Sequence, residues 1–187
     1  SVGLANRSLS TLSLVLMWIA VGCYLVLVCL HGVRIIGFRA QLRADLTDSR
    51  RAFGFFTFVA GTDVLGTRLL LGGYHDVAFA LLMVGWGSWI VLGYVVPWTA
   101  VLGRRDRPVI ATANGTWFIW VVASQSIGVL AAVLGPEVRG GRRELALLAV
   151  FSWSVGVFLY AAAGVFVAAR LMLYPIDPAD LTPPYWV

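Results

Sequence analysis

The chain has 187 residues, 60% of them hydrophobic and 12% charged, with a mean hydropathy of +0.87. Soluble globular domains run at about 45–50% apolar and about 25% charged, so this composition excludes an ordinary soluble domain and points to a membrane protein. The net charge of +5 comes from fourteen arginines and no lysine, clustered between apolar runs; that is the charge pattern of membrane loops, so no nucleic-acid partner is expected.

A helix needs about 20 apolar residues to cross a bilayer, and five segments supply them. The first, 12–36, has no charged residue before Arg34. Cys23 and Cys29 both lie in it, six residues apart and on different helical faces. They read as two small hydrophobes, not a disulfide.

The second, 53–73, reads FGFFTFVAGTDVLGTRLLLGG and is unusually polar. An ionised Asp63 near its middle costs roughly 2.5–3.5 kcal/mol on insertion scales. Asp63 is therefore expected to face the bundle interior or water. It is either a functional, proton-linked group or an inter-helix hydrogen bond. Arg68 is five residues on and about 140° around the helix, so it is a poor partner for Asp63 and can snorkel to the outer boundary.

The third segment, 77–102, contains Pro97 near one end, where a kink or a helix end is expected. The connection GRRDRP offers Asp106 as an N-cap and Pro108 in the next first turn. The fourth segment, 109–134, carries NGTWFIWVVASQSIGVLAA. At 100° per residue, Asn114, Phe118, Val121, Gln125, Gly128 and Ala132 share one face. Two readings stay open for that stripe: helix–helix packing through amides and small residues, or a pore wall.

The fifth segment, 145–173, places Ala149, Ser152, Gly156 and Ala163 in a small-residue stripe with Tyr160 beside it, the pattern of close helix packing. After it, YPIDPADLTPP holds four of the seven prolines and cannot be helical throughout. Thr182 reads as an N-cap with Pro183 at the first helical position. The final PYWV then opens a further helix, so the sequence is expected to be a fragment of a longer protein.

Nine arginines, including Arg34, Arg39, Arg43, Arg50, Arg51 and Arg104, fall on one side of the spans and five on the other. The richer side should be cytoplasmic. The loops are too short for a soluble domain. His31 and His75 fall near opposite sides of the membrane, and no HExxH, GxSxG, paired CxxC or phosphate-binding glycine loop occurs. No catalytic residue, metal or cofactor is expected.

Three stretches, FGFFTFVAGTDVLG, NGTWFIWVVASQSIG and DLTPPYWV, resemble the tellurite-resistance/dicarboxylate transporter family, which includes bacterial TehA-type proteins, fungal malate and sulfite transporters and plant slow anion channels. The resemblance covers essentially the whole chain. It implies an all-α integral membrane fold of ten helices, arranged as five hairpins around a central pore. Residues 1–187 would then be one partial transmembrane domain holding helices two to six. The spans at 53–73 and 109–134 would line the pore. The resemblance further implies transport of small inorganic or organic anions (C4-dicarboxylate, tellurite, sulfite or halide/nitrate) in a bacterial inner membrane. A homotrimer is among the assemblies that relatives adopt.

On this reading Thr57, Gly61, Asp63, Asn114, Phe118, Gln125 and Gly128 line the substrate path. The chain departs from the family pattern where many relatives have proline and it has Gly115 and Trp120. The family's gating phenylalanine belongs to a later helix, and its role is not carried over to Phe118. Two other classes are weighed beside transport. A non-transporting scaffold would use every polar group as packing. A polytopic membrane enzyme would need His, Asp or Glu clustered at one depth.

Overall fold

The computed structural model describes the backbone of residues 2–103, 109–138 and 140–175, and the side chains among them from residue 9 onward apart from residue 109. The caps expected at Asp106 and Thr182 lie outside the described residues. The elements in order are α1 (Val2–Gly37), α2 (Arg39–Thr47), a 3-10 turn (Ala52–Phe55) running into α3 (Phe56–Leu70), α4 (His75–Val96), α5 (Trp117–Leu134) and α6 (Arg142–Leu173). Among the described residues there are no strands, and the protein is an all-α membrane protein.

Among the described residues four stretches are long and apolar enough to cross a bilayer: Leu9–Gly37, His75–Leu102, Trp117–Glu137 and Arg142–Leu173. The polar α3 is different. Its 15 residues reach about 22 Å at about 1.5 Å per residue, short of the roughly 30 Å hydrocarbon core. It is enclosed instead. α1, α4 and α5 pack around three of its sides, which is how a sequence with Thr62, Asp63 and Thr67 is kept away from lipid.

The turn from α3 to α4 is made by glycine. Gly73 has φ +87°, a left-handed conformation that costs glycine little. Gly72 N–H and Tyr74 N–H both donate to the Leu69 carbonyl, at 2.9 and 3.1 Å, closing the last turn of α3. The α-helical part of α4 ends at Val96, and Pro97 is its C-cap, at the position where the sequence placed a kink or helix end. The chain widens there into a π turn over Pro97–Leu102, closed by Gly103 N–H donating to the Trp98 carbonyl at 2.8 Å. Proline has no N–H to offer, and one extra residue per turn accommodates the loss. The Thr99 hydroxyl lies 2.8 Å from both the Val95 and Leu46 carbonyl oxygens, which ties this turn to α2.

The start of the fourth predicted span is not α-helical. A 3-10 turn occupies Val109–Thr112, and α5 begins only at Trp117. The Asn114 side chain explains the delay. Its Oδ1 accepts the Thr116 N–H at 3.0 Å, an Asx turn that competes with helix. This segment is also docked on the connection before α3. Asn114 Nδ2 and Thr116 Oγ1 donate to the Arg50 carbonyl, each at 3.2 Å, and Ser49 Oγ donates to Thr112 Oγ1 at 2.7 Å. Below this clamp Phe53, Phe56, Trp117 and Trp120 form one aromatic cluster with neighbouring ring centroids 4.9–6.4 Å apart.

Lipid tails are as apolar as leucine, so helices in a bilayer associate through van der Waals packing and hydrogen bonds. The crossings show both. Gly66 of α3 admits the Leu130 side chain, and Gly128 of α5 lies against the α6 backbone at Ala149 and Trp153. Trp89 of α4 donates to Ser124 Oγ of α5 at 2.9 Å. Tyr24 of α1 and Thr62 of α3 bond through their hydroxyls at 2.9 Å. Because α1 meets the bundle along a narrow seam of Met17, Leu65 and Leu69, that bond should be felt. Tyr24→Phe is expected to lower stability by about 0.6–1.7 kcal/mol, read by unfolding in detergent. No change would mean that α1 is held by packing alone.

Candidate pore-lining surface

α4 packs across the back of the α3–α5 pair, with Gly85 against Asp63 of α3 and Trp89 bonded to Ser124 of α5. The faces of α3 and α5 opposite α4 have no neighbour among the described residues. On α3 the uncovered residues are Thr57, Gly61 and Val64, at i, i+4 and i+7, with Val64 61% exposed. On α5 they are Val122, which is half-buried, and Val129, which is 52% exposed, with Gln125 at the edge. Together they make one continuous open wall, mostly apolar and small, with two polar points. The Thr57 hydroxyl donates its one proton to the Gly54 carbonyl, which leaves its two lone pairs as acceptors.

The residues predicted to line a path separate into groups. Thr57 and Gly61 stand on the open wall. Asp63 does not. It is fully buried between α3, α4 and α5, with Ser126 Oγ 3.4 Å from Oδ2 and no hydrogen-bond partner at Oδ1. The reason is helical phase: Asp63 is two residues from Gly61, about 200° around the helix, so it points at α4 when Gly61 points away. Gly85 makes the room, since a Cβ there would sit 2.7 Å from Asp63 Oδ2.

The α5 stripe is turned mainly toward α6. Asn114 lies outside the helix, in the turn described above. The Phe118 ring packs at a tilt against Tyr160, 5.5 Å between centroids. Gly128 is buried, with a built Cβ only 3.3 Å from the Ala149 carbonyl oxygen. Gln125 occupies the border. Its Nε2 donates weakly to the Trp153 carbonyl at 3.4 Å, its side chain fills the space above Gly156, and it stays half exposed. Ser152 and Gly156 are buried against α5, as the small-residue stripe implied. Arg68 closes the outer end of the α3 face, bonding Ser13 Oγ of α1 at 2.8 Å and leaving Asp63 alone.

On α5 the polar residues are buried or half-buried and the exposed residues are apolar. Val122 and Val129 carry no polar signal, and the usable one was their seven-residue spacing on the side away from the contact of Gly128 with Ala149 and Ser152 of α6. Among the described residues no group of three or more His, Cys, Asp or Glu could hold a metal ion.

A bundle of apolar helices around a short polar helix, with one open wall free of acids among the described residues, defines an all-α integral membrane protein. The voltage-dependent anion channel family matches residues 1–187, the whole chain, and the chain belongs to that family. It is also 71% identical over 31 residues to two uncharacterized membrane proteins of Mycobacterium tuberculosis, one from strain CDC 1551 / Oshkosh and one from strain H37Rv. Those matches span 17% of this chain and 16% of each relative's length. No solved structure matches the chain.

Proposed function

We propose that the open wall of α3 and α5 forms one side of an anion-conducting path, and that residues 1–187 act as one transmembrane domain of a pore built from further helices. The observation that carries this is where the acid sits. α3 contains one carboxylate, and the fold turns it 200° away from the face that displays Thr57 and Gly61. An anion moving along that face meets the Gly61 Cα–H groups and, at the edge, the second N–H of the Gln125 amide, and the Thr57 hydroxyl joins them when its proton turns from the Gly54 carbonyl. These groups can replace part of its hydration shell without a fixed negative charge to repel it.

The substrate class follows only coarsely from such a wall. Small anions with little need for a charged partner suit it: halide, nitrate, sulfite, tellurite or a C4-dicarboxylate. With the arginine-rich end inward, the protein would sit in the bacterial inner membrane, and a homotrimer is compatible with its exposed apolar flanks.

The test is anion flux through the intact protein in liposomes, offering chloride, nitrate, sulfite and a dicarboxylate separately. Gln125→Leu removes the polar group at the edge of the wall and is expected to change the rate or the order of selectivity. Asn114→Leu acts instead on the turn before α5, so it should lower stability and leave selectivity as it was. A well-folded wild-type protein that moves none of these anions would sink the proposal.

A further inference from the structure

A cleft of about 450 Å³ opens between α1 and α4, away from the α3–α5 wall. Phe58 of α3 and Val91 of α4 line its depth, and Leu42 and Leu46 of α2 close one end. At that end it shares His31, Arg34 and Phe55 with a second hollow of about 310 Å³, whose other lining is polar and includes Asp45 and Arg51. The space is therefore apolar along its length and charged at one tip.

The charges there are ordered. Asp45, with its side chain only 18% exposed, accepts from both Arg34 and Arg51, the latter at 3.2 Å. The arginine side chains reach outward, 40% and 71% exposed. Arg34 is also held over the Phe55 ring at 5.8 Å. Asp48 lies 3.8 Å from Arg51. His31 has Nδ1 2.8 Å from the Leu27 carbonyl oxygen, so its other ring nitrogen is left toward the hollow. Arg39 and Arg43 of α2 and Arg50 just after it are exposed. Arginines outnumber acids five to two over Arg34, Arg39, Arg43, Arg50 and Arg51 against Asp45 and Asp48.

We propose that this cleft is a binding site for one anionic phospholipid, with an acyl chain between α1 and α4 and its phosphate at Arg34 and Arg51. Three features select that occupant. The cleft opens sideways between two helices long and apolar enough to span the bilayer, so acyl chains are what meets it. α2 has no buried residue and lies across the charged end, the place of an interfacial helix at headgroup depth. The arginine excess favours an anionic head over a zwitterionic one, as in basic pockets between membrane helices on the cytoplasmic side. The lipid would come from the cytoplasmic leaflet, the side that arginine counting assigns to this end.

The experiment uses the intact purified protein in nanodiscs of phosphatidylcholine, alone or mixed with phosphatidylglycerol. Thermal unfolding is followed there, and retained lipid is counted by native mass spectrometry. Wild type is expected to retain phosphatidylglycerol in preference to phosphatidylcholine and to unfold at a higher temperature with it. Arg34→Gln should weaken that preference about fivefold, the effect of one arginine near an anionic surface. Arg34→Gln also disturbs the pair with Asp45, so Gly87→Phe supplies an independent arm. A Cβ at Gly87 meets nothing within 4 Å and points into the cleft's open space. This variant should fold normally and lose the retained lipid with every arginine in place. Equal retention of the two lipids, or full phosphatidylglycerol retention in Gly87→Phe, would overturn the proposal. So would inorganic phosphate reproducing the whole stabilisation, which would make the tip a free-anion site.

Discussion

Gly61→Phe in the intact protein is expected to cut anion flux at least about tenfold, because pore diameter is among the first determinants of conduction. Thermal unfolding should stay within a few degrees of wild type. The two halves of this expectation come from one observation. Gly61 is exposed on the α3 face opposite α4, and a Cβ built there meets nothing within 4 Å. A large side chain at that position displaces no packed atom, so it changes the wall and spares the core. Gly22→Phe is the matched control. Gly22 is also open to an added Cβ, but lies on the side of α1 turned from the Met17–Tyr24 seam with α3. Flux in that variant should equal wild type. Flux through Gly61→Phe at the wild-type rate would show that the open face is not the path.

Gly85→Ala is expected to destabilise the protein by about 1–3 kcal/mol, the usual range for overpacking a well-filled core. A single methyl group is enough because it would stand 2.7 Å from Asp63 Oδ2 and 2.8 Å from Cγ. Asp63 cannot swing aside. It is fully buried, between Gly85 on α4 and Ser126 on α5. Asp63→Ala alone leaves a void in the same place. Ser126 is not orphaned, since its hydroxyl still donates to the Ala123 carbonyl at 2.8 Å. In the double variant the new methyl at position 85 occupies the space the carboxylate left. The pair should therefore be less destabilised than the sum of the singles, by about 0.5–3 kcal/mol of coupling. Unfolding in detergent measures the whole cycle. Strict additivity would mean that the two positions do not share this space, and that the account of Asp63 as a group seated by Gly85 is wrong.

The same pair of residues bears on the choice left open between a functional and a structural Asp63. Its geometry is that of an inter-helix contact: three helices converge on it and no open face reaches it. Its environment also explains why so polar a segment is tolerated in a membrane at all. Thr62 is bonded to Tyr24 and to the Phe58 carbonyl, and Thr67 to the Asp63 carbonyl, so most of the polar atoms of α3 are satisfied inside the bundle.

Membrane placement and the all-helical class were fixed by composition and hydropathy, because the bilayer imposes the same two demands on every crossing segment: apolar side chains and internally bonded backbone. The cost of a charge in hydrocarbon likewise made the interior placement of Asp63 readable from one residue. Local chemistry was harder to weigh. Asn114 fits a helical stripe by spacing alone, yet its side chain bonds the Thr116 N–H and holds the start of α5 back to Trp117.

Which face of each helix is open was decided only by tertiary structure. A stripe of small and polar residues suits a pore wall or a helix crossing equally well, and the sequence of one helix does not say where its neighbours stand. On α5 the stripe with Phe118 and Gly128 met α6, while the plainer Val122 and Val129 were left facing out. On α3 the 200° between Gly61 and Asp63 was written in the sequence, but the arrival of α4 on the Asp63 side, seated by Gly85, determined which of the two faces stayed open.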